Sequence, residues 1–580
     1  MKRDMRKYIL RKLVELIFTL LFVTLLSFLL MRLSSVDPAT AYAKRMIGNP
    51  TAEQIEKIRI QLGFDKPLLV QYGRWVWDLL HFDLGVSLAN GHDVWTDIAT
   101  AFPKTLGIVA LASIFQVVFI VIVSCIAFLL PWKLPKKAVR LLCILGVSIP
   151  SFYLATVYLD YFAVQKSLIS VAGNTTLLSY ISPAICIGVF GTSFYTPLLM
   201  DALELESNED YAFYARCRGL SEKRLLLCHF FPRAAMGLVP NFLQSIGLAL
   251  ANATVIESIF SIPGFGYLIV NHVLDRDTPM IHAEVFFLAL AIALCNIAAD
   301  LVQWAIGRKK GVAKMKTKRF RKWCAIFIPT LVIIFFFVGF LFAPNDPMKS
   351  NLLERYADPS TEYPFGTDAL GRCILSRILY GGWTTLGIVL GGSLIVFLLG
   401  NVIGMVTSRA VMKENALIDG LINAVTAIPP IAYLIVFIGA WGSGAKTTLV
   451  ALTVSYILRY IKLVRTRTDM EMGKAYVMCA IASGASKLRI MLIHIFPNLI
   501  AEMIRFLCLS CADMILAITG FSFIGLGLGD NVVDWGSMIL DARGALVLRP
   551  TMILYPIGAV ILSTLCFNVI GRQLTTKEAE

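Results

Sequence analysis

Carboxylates and histidines are the first residues to weigh for chemistry, and in this chain they are scattered. Asp513 and Glu257 each fall inside an apolar run. An ionised carboxylate facing lipid costs about 2.5–3.5 kcal/mol at mid-membrane, so each must face protein or a wet cavity. Of six histidines, His229 and His494 lie in polar segments, and His81, His92, His272 and His282 are placed on the outer side; none forms an i, i+4 pair on an apolar run. No metal site is expected from them. The chain has no HExxH, GxSxG or DxDxGxxxE pattern. Its nearest approach to a nucleotide loop, Gly439-x4-Gly444-Ala445-Lys446-Thr447, carries alanine where Gly-Lys is required and reads as a turn between spans. The twelve cysteines lie mostly inside apolar runs and read as small membrane-helix residues. No catalytic residue and no cofactor bound by this chain is expected.

One spacing does stand out. Tyr211, Ala215, Gly219, Ser221, Arg224, His229, Phe231 and Pro232 reappear at identical intervals as Tyr476, Ala480, Gly484, Ser486, Arg489, His494, Phe496 and Pro497, an internal repeat. Tyr, Ala and Gly at i, i+4 and i+8 share one helical face, and the two small residues admit another surface closely. Gly219 and Gly484 suit a left-handed helix stop, with the serine two residues on capping a second short helix. Each copy is expected to form a helix–turn–helix knob. A second repeat, Phe260-Ser-Ile-Pro263-Gly264-Phe-Gly266 and Phe521-Ser-Phe-Ile-Gly525-Leu-Gly527, follows each knob; its glycines read as tight turns lining the outer mouth of a pathway.

These segments need a membrane scaffold. With 57% hydrophobic and 16% charged residues, the chain is too apolar for an ordinary soluble protein. Its net charge of +15 is concentrated in a cluster from Arg308 to Lys322, between apolar runs, which is a positive-inside signal and argues against a nucleic-acid partner. Spans are expected over Val14–Met31, Leu106–Leu130, Leu141–Val164, Leu178–Met200, Leu238–Ile262 and Ala283–Ile306. The second half repeats the count, over Cys324–Phe342, Thr384–Val406, Leu417–Ala440, Thr448–Leu463, Ile500–Ile524 and Met552–Ile570. The fold class is thus an all-α polytopic membrane protein of about twelve transmembrane helices in two homologous six-helix halves. The halves are 1–307 and 323–580, joined by a basic linker at 308–322, and Lys and Arg place both termini, the linker and both knobs in the cytoplasm. Between the first two spans, Thr51 onward reads as a capped amphipathic helix and Pro67–Phe82 as an aromatic-rich one.

The pattern Ala-x3-Gly-x9-His-x-Phe-Pro resembles the signature loop of binding-protein-dependent ABC importer permeases. Further motifs narrow the likeness to the dipeptide, oligopeptide and nickel branch. Residues 1–307 resemble one subunit of such a pair, through Leu62-Gly-Phe-Asp-Lys-Pro-Leu68, Asp83-Leu-Gly-Val-Ser87 and Glu257-Ser-Ile-Phe-Ser-Ile-Pro-Gly-Phe-Gly266. Residues 323–580 resemble the other, through Phe365-Gly-Thr-Asp-Ala-Leu-Gly-Arg372, Ser376-Arg377 and Trp535-Gly-Ser537. Phe82, where this branch usually has Gly, is among the departures.

The resemblance implies type I ABC importer transmembrane domains, fused in one chain, in a bacterial-type cytoplasmic (inner) membrane. It implies that Tyr211, Ala215, Gly219, His229 and Pro232, with Tyr476, Ala480, Gly484, His494 and Pro497, couple to two ATP-binding cassette ATPase subunits or domains. Those partners would use ATP and Mg, and an extracytoplasmic solute-binding protein would deliver a peptide, nickel or a metal chelate. Glu257, Pro263, Gly264, Gly266, Asp513, Gly525 and Gly527 are the outer-turn and pathway candidates. The alternative is a secondary transporter with internal repeats, which has no need of twin docking knobs.

Overall fold

The computed structural model describes residues 2–32, 38–130, 133–166, 177–306, 319–408, 430–529, 531–545 and 549–574, with the helical positions Ile422 and Thr426. The linker from Arg308 to Lys318 and the first part of the expected Leu417–Ala440 span lie outside the described residues. In chain order the helices are α1 Lys2–Arg32, α2 Pro38–Ile47, α3 Ala52–Gln61, α4 Leu68–Leu80, α5 Val94–Leu129, α6 Lys133–Ser148, α7 Ser151–Leu159, α8 Leu177–Ser207, α9 Asp210–Cys217, α10 Glu222–Leu225 and α11 Phe231–Phe260. Then come α12 Phe265–Asp275, α13 Thr278–Ile306, α14 Arg319–Val338, α15 Ile374–Val406, α16 Pro430–Trp441, α17 Ala445–Met472, α18 Ala475–Ala482, α19 Lys487–Arg489, α20 Phe496–Phe523, α21 Trp535–Ala542 and α22 Thr551–Gln573.

Among the described residues nine helices are long and apolar enough to cross a membrane. Two of the nine begin in the knobs: Glu222–Phe260 and Lys487–Phe523 run unbroken from the second knob helix into the span. The expected Leu141–Val164 span is not a straight helix, because α6 and α7 meet at a 90° bend. Pro150 explains the break, since it lacks an N–H and drives the residue before it out of helical geometry. Cys324–Phe342 is represented by a shorter apolar helix, Ile326–Phe342, and the described part of the ninth expected span is α16.

The chain divides into two compact units, and packing divides it elsewhere than the repeat does. One comprises Leu84–His272 and Phe286–Thr317; the other comprises Met1–Asp83, Val273–Val285 and Lys318–Glu580. In the first, α5 pairs with α8 where a Cβ on Gly188 would lie 2.5 Å from Phe115 and one on Gly191 2.4 Å from Gln116. Membrane helices associate through such small-residue contacts, because lipid supplies no hydrophobic drive between them. In the second unit α15 pairs with α17 in the same way, Gly400 against Tyr460 and Gly404 against Val464. There α1 packs against α16, so the first helix of the chain joins helices from its second half.

Candidate functional site

Both knobs are built from the same local physics. Gly219 and Gly484 have φ of 80°, the left-handed region that glycine enters without strain. The helix ahead of each closes with a paired stop: Leu220 N–H donates to the Ala215 carbonyl and Ala485 N–H to that of Ala480. Ser221 and Ser486 then accept from the N–H of Arg224 and Arg489, capping α10 and α19. A wide π-helical turn follows in each copy, Leu226–Phe230 and Ile490–Ile495, ahead of Pro232 and Pro497. Each proline lacks the N–H that would continue the α-helical ladder, which accounts for the widening.

Each knob is held by its expected tyrosine on a glutamate outside the expected set. Tyr211 Oη donates to Glu206 Oε2 at 2.6 Å, and Tyr476 Oη to Glu471 Oε2 at 2.6 Å. Glu206 ends α8 and Glu471 ends α17, so each tyrosine ties its knob to the helix before it. Burial and the neighbouring carboxylate push both phenols up to about 12, so they stay protonated donors. The side chains beneath correspond too: Ala212, Leu225, Leu226 and Phe230 are buried in one copy, and Val477, Ile490, Met491 and Ile495 in the other. The buried alanine is Ala212, while Ala215 and Ala480 are half-buried. His229 is exposed and His494 half-buried. Exposed apolar residues remain on both knobs, Phe213, Tyr214 and Leu227 on the first and Met478, Ile481, Leu488, Leu492 and Ile493 on the second.

The outer turns are held differently from expectation. At the first, Ser261 takes the left-handed conformation, whereas Gly264 and Gly266 serve close approach: a Cβ on Gly264 would lie 2.5 Å from Glu257 Oε2, and one on Gly266 2.5 Å from Thr254 Cα. Glu257 is fully buried, accepts from Thr105 Oγ1 at 2.5 Å and from Tyr267 N–H at 3.1 Å, and so ties the turn to α5. Pro263 gives its carbonyl to Lys104 at 3.2 Å. At the second turn Gly525 is left-handed and a Cβ on Gly527 would strike Ser522 Oγ at 2.2 Å. Asp513 has an exposed side chain in α20, with Arg459 of the adjoining α17 as its opposite charge.

The motif Phe365–Arg372 forms a clamp. Nearly buried Asp368 pairs with Arg372 at 2.7 Å and Arg377 at 2.5 Å, and both arginines reach Asp541, at 2.8 and 2.9 Å. Trp535 is wholly buried, donates to the Ile378 carbonyl at 3.0 Å and stands edge-on to Phe336. Cys508 and Cys511, a Cys-x-x-Cys pair on α20, are both free. Among the described residues no group of three His, Cys, Asp or Glu side chains could hold a metal.

The described residues thus show a duplicated knob on a polytopic helical scaffold. The chain belongs to the binding-protein-dependent transport system inner membrane component family, which it matches twice, over residues 116–312 and 400–577. The N-terminal component of the same systems matches residues 5–112. The chain is 32% identical over 306 residues to a protein of Brucella abortus (strain 2308) described as a peptide transport system permease, covering 51% of this chain and 96% of the relative. It is 32% identical over 304 residues to the glutathione transport system permease protein GsiC of Salmonella paratyphi A, covering 52% and 98%. It is 29% identical over 299 residues to the metal-staphylopine import system permease protein CntB of Staphylococcus aureus, covering 51% and 96%. Each relative corresponds to about half of this chain, which therefore carries two permease modules in fusion.

Proposed function

We propose that the chain supplies both transmembrane halves of an ATP-driven importer, with the two knobs docking on two ATP-binding cassette ATPase subunits or domains. ATP and Mg are used by those partners, and a solute-binding protein delivers the substrate on the opposite side. The observation that carries this reading is the second knob: identical left-handed stops, caps and Tyr–Glu ties recur with exposed apolar residues on top. A secondary transporter has no use for such a pair. The relatives' names support a peptide or a metal chelate as substrate.

Uptake into vesicles holding the reconstituted complex should require internal ATP and survive collapse of proton and sodium gradients. Gradient-driven uptake without ATP would overturn the proposal. Both termini, both knobs and the 308–322 linker are assigned to the ATPase side from the Lys and Arg distribution. Labelling of single cysteines in the linker by an impermeant reagent added outside intact cells would reverse that topology.

For the pathway, the exposed carboxylate of Asp513 favours passage of a cationic peptide amine or metal complex. Asp513→Asn should lower transport of a cationic substrate more than it lowers assembly or basal ATP hydrolysis. Equal loss of all three would assign Asp513 to holding Arg459 instead.

A further inference from the structure

We infer that α4 is embedded in the membrane, in the leaflet that the Met31 end of α1 enters, with Leu69, Trp77 and Leu80 against phospholipid acyl chains. At 13 residues α4 is too short to cross, and its sequence alone suits an aqueous amphipathic helix. The contacts on its two sides say otherwise.

One side is fixed at depth. Tyr72 Oη donates to the Leu21 carbonyl at 2.8 Å and lies 3.0 Å from Thr24 Oγ1. Phe28 of α1 meets Tyr72 and Trp75 with ring centroids 5.4 and 5.5 Å away, and His282 stacks on Phe28 at 3.7 Å while its Nδ1 lies 2.8 Å from Ser27 Oγ. Leu21 is near the middle of the Lys12–Met31 span. At 1.5 Å per residue it lies about 15 Å along the axis from Met31, so a helix bonded there cannot sit on the aqueous rim.

The other side is open and apolar. Leu69, Trp77 and Leu80, on one helical face, are 75%, 64% and 69% exposed, and no residue of α4 is buried. Leu21, Leu25 and Leu29 of α1 are also exposed, so α1 likewise presents apolar side chains outward at that depth. The charged residues of α4, Arg74 and Asp78, pair at 3.8 Å one turn apart. Phe82, just past α4, holds a left-handed φ of 61° and is 75% exposed. That conformation strains phenylalanine but not glycine, and entry of the ring into acyl chains offsets the strain. The neighbouring α3, with Glu53, Glu56, Lys57 and Arg59, has no comparable face.

The inference needs only that α1 spans the membrane, so it stands or falls apart from the energy source and the topology. Its test uses the full chain in phospholipid nanodiscs, with exposed Cys217, Cys228 and Cys479 replaced by serine. A nitroxide is placed by Trp77→Cys, Leu80→Cys or, as the aqueous control, Glu53→Cys. The ratio of oxygen to nickel-chelate accessibility should be severalfold higher at 77 and 80 than at 53. Equal ratios would overturn the inference, as would immobilisation of the label at 77 by added solute-binding protein. Independently of any cysteine variant, the fluorescence lost in Trp77→Phe should be the part quenched by brominated acyl chains; quenching of that part by aqueous iodide would also overturn it.

Discussion

The two knobs share a backbone and differ in what braces it. In the first, Arg216 donates to the Ser207 carbonyl and hydroxyl at 2.9 Å and pairs with Glu222 at 2.6 Å, while Arg233 lies over the Tyr211 ring at 4.2 Å. In the second, Ile481 stands where Arg216 would, and the tie is confined to Glu471, Lys474, Tyr476 and Asn498. One copy is cross-braced by charge; the other presents more bare apolar surface and has one principal tie. The repeat preserves the turn and the Tyr–Glu bond and leaves the rest free to diverge.

The harshest break of the shared part is at the stops. Gly219→Asp or Gly484→Asp forces a side chain into the left-handed region, at about 1–2 kcal/mol. No atom lies within 4 Å of either added Cβ, so the new carboxylate projects into whatever docks there. The double substitution should leave membrane insertion intact and abolish both ATPase co-purification and substrate-stimulated hydrolysis. Unchanged hydrolysis in an assembled complex would strip the knobs of a coupling role.

The difference between copies is sharpened by removing the shared tie. Tyr476→Phe loses a hydrogen bond to a carboxylate, about 1.5–3 kcal/mol, with little to replace it, whereas the Arg216 network retains the first knob in Tyr211→Phe. Hydrogen exchange over Ala475–Ala482 should therefore rise more in Tyr476→Phe than exchange over Asp210–Cys217 does in Tyr211→Phe. Equal rises would erase the distinction. The sign with pH follows from the phenols: unfolded tyrosine ionises near 10 and these near 12, so the tie is intact throughout neutral pH and is lost between about 10 and 12. A drop in knob protection between pH 6 and 8 would contradict it.

The smallest effect belongs to Arg216→Ala. Its ion pair with Glu222 is partly exposed and contributes on the order of 0.5–1 kcal/mol, so exchange should rise modestly in the first knob and not in the second. Loosening of both would mean that the bracing is not local.

Local spacing made much of this readable. The left-handed glycines, the serine caps and the Thr51–Gln54 capping box on α3 depend on neighbours within a few residues, and all are present. Glu206 and Glu471 were equally legible, five residues before each tyrosine, but two glutamates at the end of apolar helices look like ordinary boundary charges. Gly264, Gly266 and Gly527 read as tight turns, because a Gly-rich string looks the same whether its purpose is dihedral freedom or, as here, room for Glu257, Thr254 and Ser522. The bend at Pro150 was hidden by an apolar run long enough for one span. The pairing of α1 with α16 left no periodic trace, because amphipathicity shows which face is buried and not by what.

That pairing sets a timetable. Arg32 and Pro430, the facing ends of α1 and α16 in sequence, are separated by roughly four hundred residues of chain. At about 5–20 residues per second, α1 and the α4 that joins it wait on the order of twenty to eighty seconds before α16 exists. Thr19 and Thr24, buried in the finished protein, bond back to the carbonyls of Glu15 and Leu20 on the same helix. Their hydroxyls are thus satisfied within the helix itself, and α1, with α4 bonded to it, can remain in lipid until α16 arrives.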